Sequence, residues 1–136
     1  MTFLRDERIE AVPKDVEFLD KNGALPVVAS VDATKFGPAI QAIRSQIEAG
    51  TPLPSTRYRR GTEVDVLLRD DGIMHLHVGY GIDDDVLLLA GQTDDTVLFI
   101  ALVRHSDLFE PPNYAAGIKR WIGRPLAEWV LRYSKR

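Results

Sequence analysis

Two of the chain's three histidines, His75 and His77, stand two residues apart in the run Met74-His75-Leu76-His77-Val78-Gly79, and the third is His105. Side chains two apart on a strand share a face, so this run predicts both imidazoles on one side and Met74, Leu76, Val78 and Tyr80 on an opposite, core-facing side. Imidazole titrates near neutral pH, so a pair of them suits proton transfer, one as base and one as acid. The same spacing could converge on a metal, with His105 and one of Asp83, Asp84 or Asp85 completing the set, although no His-Glu-x-x-His run supports it. A purely structural pair, one histidine holding a loop and the other in solvent, is the plain alternative. At the end of a later apolar run, Arg104-His105-Ser106-Asp107 offers a cation for a phosphate and a second carboxylate–imidazole combination, or simply a capped turn.

A second kind of chemistry is suggested by Arg57-Tyr58-Arg59-Arg60, where bases flank an aromatic ring in a stretch that two prolines keep from being helical. Guanidinium groups grip phosphates and a ring can stack on an unpaired base. Lys119, Arg120 and Arg124, with Arg132, Lys135, Arg136 and the indoles of Trp121 and Trp129, form another such patch, although the tryptophans read first as core anchors of the terminal helices.

Several elements are needed to position these groups. Pro13 suits a helix start, and Val16, Phe18 and Leu19 give it apolar anchors, so a helix is expected from about Pro13 to Asp20. Leu25–Val31 reads as an edge strand or extended connector because of Pro26. Phe36, Ile40, Ile43 and Ile47 recur at helical spacing up to Gly50. Four apolar runs separated by turn residues follow, Thr62–Arg69, Ile73–Tyr80, Val86–Ala90 and Val97–Arg104, and predict an antiparallel meander. VLLLA and VLFIALV are apolar on both faces, which suits central strands covered by helix on at least one side. Ile118, Ile122, Leu126, Trp129 and Val130 suggest two short helices interrupted near Gly123-Arg124-Pro125. The fold class expected is α+β, one domain over residues 1–136, with terminal helices packed on a four-stranded antiparallel sheet.

Composition bounds the function. A 136-residue chain that is 45% hydrophobic can bury a self-sufficient core without a metal or disulfide staple, and nothing in it demands a cofactor. The absence of cysteine removes disulfides, thiolate metal sites and cysteine nucleophiles, and fits a reducing compartment. No secretory leader and no membrane span is read in the sequence, so a soluble, cytoplasmic protein is expected. No Walker loop and no Gly-x-Gly-x-x-Gly run is present, which argues against nucleotide-cofactor chemistry. The charge of −3 is unevenly spread: residues 61–110 hold two basic against eleven acidic side chains, residues 51–60 three basic and none acidic, and residues 111–136 six basic against one acidic. Two basic patches therefore flank an acidic middle.

These residues together resemble the YafO-type toxins of the RelE/ParE superfamily, the mRNA interferases of bacterial type II toxin–antitoxin pairs. The resemblance rests on Asp20-Lys21-Asn22-Gly23-Ala24-Leu25-Pro26, on Met74-His75-Leu76-His77-Val78, on VLLLA and VLFIALV across a short polar turn, and on Ile118-Lys119-Arg120-Trp121-Ile122 followed by Leu126-Ala127-Glu128. It implies a RelE-like α/β toxin that presents a basic face to mRNA on the ribosome and is neutralised by a cognate antitoxin. It also implies a metal-free reaction in which a 2′-hydroxyl attacks the adjacent phosphate. His75 and His77 would then be base and acid, Arg104 and His105 would stabilise the anion, and Arg57 to Arg60 would hold the backbone. An alternative from a different class is a non-enzymatic toxin that, as relatives resembling ParE do with gyrase, acts by protein contact.

Overall fold

The computed structural model describes residues 3–20, 22–58, 65–109 and 115–136. Its centre is a four-stranded mixed sheet in the order β1 (Asp15–Phe18), β4 (Thr96–Arg104), β3 (Val86–Gln92) and β2 (Met74–His77). β2, β3 and β4 pair antiparallel in succession, so three strands of the expected meander form. The fourth does not: β1 comes from the N-terminal segment and runs parallel to β4, with Asp15 opposite Thr96 and Phe18 opposite Phe99.

Two of the sequence readings are corrected by that arrangement. The helix expected over Pro13–Asp20 is a strand, because the edge of β4 supplies backbone partners, Asp15 N–H donating to Asp95 O and Leu19 N–H to Phe99 O. Its side chains then alternate, Val16 entering the core while Glu17 turns to the other face. The strand expected over Thr62–Arg69 is, in its described part, a short helix α2 (Val66–Asp71); residues 62–64 lie outside the described residues. Asp65 caps it by accepting from Leu68 N–H at 3.2 Å, and Gly72 ends it at φ 71°, a left-handed conformation that glycine adopts without steric cost.

The amphipathic helix is found as α1 (Gly37–Ala49), entered through a 3-10 turn at Ala33–Phe36 and closed by Gly50. The first part of Leu25–Val31 runs along β4, with Val27 bridging Leu102 in parallel and so prolonging the line of β1, and the segment then turns at Ala29–Ser30, where Val31 N–H donates to Val28 O. The C-terminal segment forms a single helix α4 (Ala116–Ser134), not two, with Pro125 inside it. Proline cannot donate to the Trp121 carbonyl, but Trp121 lies on the helix's wet side, 40% exposed, where water can take that acceptor.

Both faces of the sheet are covered, which is why every residue of β3 is buried. On one face Met74, Leu76, Val78, Leu88, Val97 and Phe99 pack with Ile43, Ile47 and Phe36 of the α1 side. On the other, Leu87, Leu89, Leu98 and Val103 pack with Ile118, Ile122 and Trp129 of α4. Each such side chain contributes about 1.5–3 kcal/mol on removal from water. A bulge changes the alternation: Leu89 pairs with Ala101 and Ala90 with Phe99, leaving Ile100 as an extra residue. Ile100 and Ala101 consequently both belong to the α4 core. The meander is thus a layer between two cores, and the histidine-bearing face of β2 is itself covered. Among the described residues no helix is long and apolar enough to cross a membrane.

Candidate active site

β2 is an edge strand, and its pairing fixes where the histidines point. His75 lies opposite Leu89 and His77 opposite Leu87, two leucines of the α4-side core, so both imidazoles share that face as expected. Their ring centroids are 5.6 Å apart at 66°. Met74, Leu76 and Val78 take the opposite face, whereas Tyr80, expected with them, is 75% exposed.

The third histidine reaches the same place from another element. α3 (His105–Phe109) starts where β4 ends and turns its last residue back toward the sheet edge. The Phe109 ring lies 4.6 Å from that of His105 and 5.3 Å from that of His75. His75 and His105 therefore meet at one phenyl ring, and His77 joins them through its contact with His75. His75 is buried, 8% exposed, while His77 and His105 are half-buried.

Asp65 joins the cluster from the start of α2. Its Oδ2 is 3.0 Å from His75 Nδ1, at ion-pair distance though not aligned as a hydrogen bond, and both atoms are shut off from solvent. Arg57 reaches it from the segment preceding α2, its Nη1 donating to the His77 carbonyl at 3.1 Å.

The other sequence candidates are placed elsewhere. Arg104 lies opposite Val86, on the α1-side face, and so stands across the sheet from His75 and His77. Its guanidinium is 2.9 Å from Asp85 and 3.6 Å from Asp83, and also donates to Ser30. It clamps the β2–β3 loop, on the opposite face from the two histidines for which the family resemblance implied it as anion stabiliser. Asp107 accepts from Arg104 N–H at 2.8 Å, the turn-capping role.

Tyr58, expected as a stacking platform, is a packed residue. It closes a 3-10 turn at Ser55–Tyr58, is 7% exposed, and its hydroxyl accepts from Ile9 N–H at 3.0 Å, while Arg8 covers its ring at 5.0 Å. Arg59 and Arg60 lie outside the described residues. Lys119 is 3.4 Å from Asp70 and 3.6 Å from Asp71. Arg69 beside Asp70, with burial opposing and Lys119 adding, holds that carboxyl at about 2, so Lys119 faces an ionised partner at neutral pH. Arg120 is exposed, and Arg124 stands almost wholly in solvent beside Glu128. The two tryptophans divide: Trp129 is a buried anchor and Trp121 a surface residue.

Among the described residues no group of three or more His, Asp or Glu side chains is arranged to hold a metal ion. Asp83 and Asp85, weighed as ligands, face Arg104 instead. Sequence reasoning missed Asp65 and Phe109. The first could have been found from an N-cap aspartate and a Gly72 stop bracketing one helical turn and a half, whereas nothing local marks a phenylalanine that meets two histidines. No protein-family model matches the chain, and neither a curated protein nor a solved structure matches it significantly.

Proposed function

We propose that the chain is a ribosome-associated endoribonuclease toxin that cleaves mRNA without a metal and is held in check by a cognate antitoxin. The observation that carries this reading is the cluster at a sheet edge in which Phe109 touches His75 and His105, His77 touches His75, Asp65 faces His75, and Arg57 donates to the His77 carbonyl. In the reaction, one imidazole accepts the 2′-hydroxyl proton as that oxygen attacks the adjacent phosphorus. Another gives a proton to the departing 5′-oxygen, so the products are a 2′,3′-cyclic phosphate and a free 5′-hydroxyl. His77 and His105, half-buried, are the two that substrate can touch, and His75, buried against Asp65, stands behind them. Arg57 at the His77 carbonyl is the described cation best placed to face the phosphate. The RelE-like character of the sheet, the antitoxin, and RNA contact by Lys119, Arg120 and Arg124 belong to this proposal.

A second reading has one observation in its favour. Tyr80 and Ile82 are 75% and 94% exposed on a loop that Arg104 fixes through Asp83 and Asp85. A rigid apolar tip of this kind fits contact with another protein better than contact with RNA.

The test is a translation extract programmed with one defined message, with 5′ ends mapped in the presence and absence of active ribosomes. Cleavage only during translation, lost in His77→Ala or His105→Ala, is the expected result. An intact message with translation unaffected would overturn the endoribonuclease reading in favour of a protein target.

A further inference from the structure

We propose that Asp65 is a positioning residue whose two carboxylate oxygens do different work, Oδ1 capping α2 and Oδ2 fixing the tautomer of His75 with the proton on Nδ1. Its bearing on catalysis rests on the acid–base reading of the histidine cluster; the tautomer itself does not.

Asp65 Oδ2 and His75 Nδ1 are 3.0 Å apart and neither is open to solvent. If Nδ1 carried a lone pair, two electron-rich atoms would oppose each other at that distance with no water to separate them. A proton on Nδ1 turns the same contact into an attraction, because ionised aspartate only accepts. The ring then has Nε2, on its far side from Asp65, as its acceptor, since the partner of one imidazole nitrogen decides the state of the other.

Among the described residues, Asp65 is the carboxylate that faces His75 Nδ1. His77 meets His75 from the same strand at 5.6 Å, and Phe109 covers it from α3 at 5.3 Å without offering a hydrogen-bonding group. His105 touches the Phe109 ring, and Arg57 is engaged with the His77 carbonyl. The carboxylate is itself held still, because Oδ1 accepts from Leu68 N–H at 3.2 Å. Formation of α2 and orientation of His75 are thereby one event: when the helix start frays, the imidazole loses its guide. The sequence separates Asp65 from His75 by a helix and a glycine stop, and it is the left-handed turn at Gly72 that brings the start of α2 back beside β2.

The test uses the full chain labelled with nitrogen-15 and long-range proton–nitrogen correlation of the imidazoles at about pH 8.5, above the ordinary imidazole range. The expected pattern is a protonated Nδ1 on His75. Asp65→Asn is the informative variant: its amide oxygen can still cap α2, while its NH2 group must donate toward His75, so the ring should switch to the Nε2-protonated form. In the cleavage assay this variant should lose at least about tenfold, with its cooperative unfolding retained. A native His75 bearing its only ring proton on Nε2 would overturn the proposal without any variant. So would an Asp65→Asn chain that keeps the native tautomer. If the nitrogen pattern and its switch appear while the native protein cleaves no message, the positioning role stands and the endoribonuclease reading falls.

Discussion

Arg57 Nη1 donates to the carbonyl oxygen of His77 across the open side of β2. The Val78 N–H donates inward to Val86 O, so by strand alternation the backbone groups of His75 and His77 face out from the sheet. A side chain thus sits where another strand could have paired, and it does so next to the residues proposed to touch RNA. Arg57→Ala is expected to lower stability by about 1 kcal/mol in urea unfolding, with Arg57→Lys recovering part of it. On the endoribonuclease reading it also reduces the slope of log affinity against log salt by about one phosphate contact. An unchanged salt slope would assign Arg57 to sealing the edge alone.

Tyr58 separates the stacking and packing roles of its loop. Tyr58→Phe keeps an aromatic ring for any base but leaves the Ile9 N–H without its acceptor. We expect a loss of about 1–2 kcal/mol in stability and RNA affinity equal to that of the native chain at matched salt. A binding defect in a fully folded Tyr58→Phe protein would restore the stacking role.

Acid should loosen the C-terminal helix. Glu17 accepts from Arg136 and from Trp129 Nε1, the latter at 3.1 Å, so β1 and α4 are tied at their far ends. The Arg136 guanidinium, with burial opposing and the Trp129 indole assisting, holds the Glu17 carboxyl below its ordinary value. The unfolded chain therefore binds this proton at a higher pH than the folded one, and the stabilisation is fully present above the usual carboxylate range and fades as pH falls through the folded value. The stability difference between native protein and Glu17→Gln should be largest near neutral pH and shrink progressively below about pH 4.5. A difference that stays constant down to about pH 3 would remove the ion pair from the balance.

Gly79 has no room for a methyl group. A Cβ there would lie 1.7 Å from the Asp83 carbonyl oxygen, so the loop carrying Tyr80 and Ile82 folds back hard onto the end of β2. Gly79→Ala should cost about 2–3 kcal/mol or displace the loop, seen as a lowered urea midpoint and shifted amide resonances from Tyr80 to Asp85. A neutral effect would mean that the loop is free to move and that its exposed tip is not preformed.

How far the sequence was readable depended on how local each determinant is. α1 declared itself through Phe36, Ile43 and Ile47, and β3 and β4 through runs too apolar for anything but covered strands. β1 failed because its reason lies in β4: the partners of Asp15 and Leu19 are Asp95 and Phe99, and no window around Pro13 contains them. α2 failed because Val66, Leu67 and Leu68 form a β-like triplet, while Asp65 and Gly72, which bracket it, carry the decisive signal. α4 failed at Pro125, where a breaker is tolerated because the orphaned acceptor is on the wet side. Of the site, the shared face of His75 and His77 followed from period two alone. That His105 would join them, and Arg104 would not, depended on the bulge-bearing β4 and the direction in which α3 leaves it.

The parallel pairing of β1 with β4 also sets an order in time. Every residue of the histidine cluster, from Arg57 to Phe109, lies after β1 in the chain, and β1's own partner is the last strand to be synthesised. β2, β3 and β4 can pair as consecutive hairpins as they emerge, whereas β1 finds its parallel partner only once β4 is complete. Pairing of β1 is then expected as a clasp applied from outside to hairpins already formed. In pulsed hydrogen exchange during refolding, the Val78 amide should become protected before those of Asp15 and Leu19; the opposite order would place nucleation at the clasp itself.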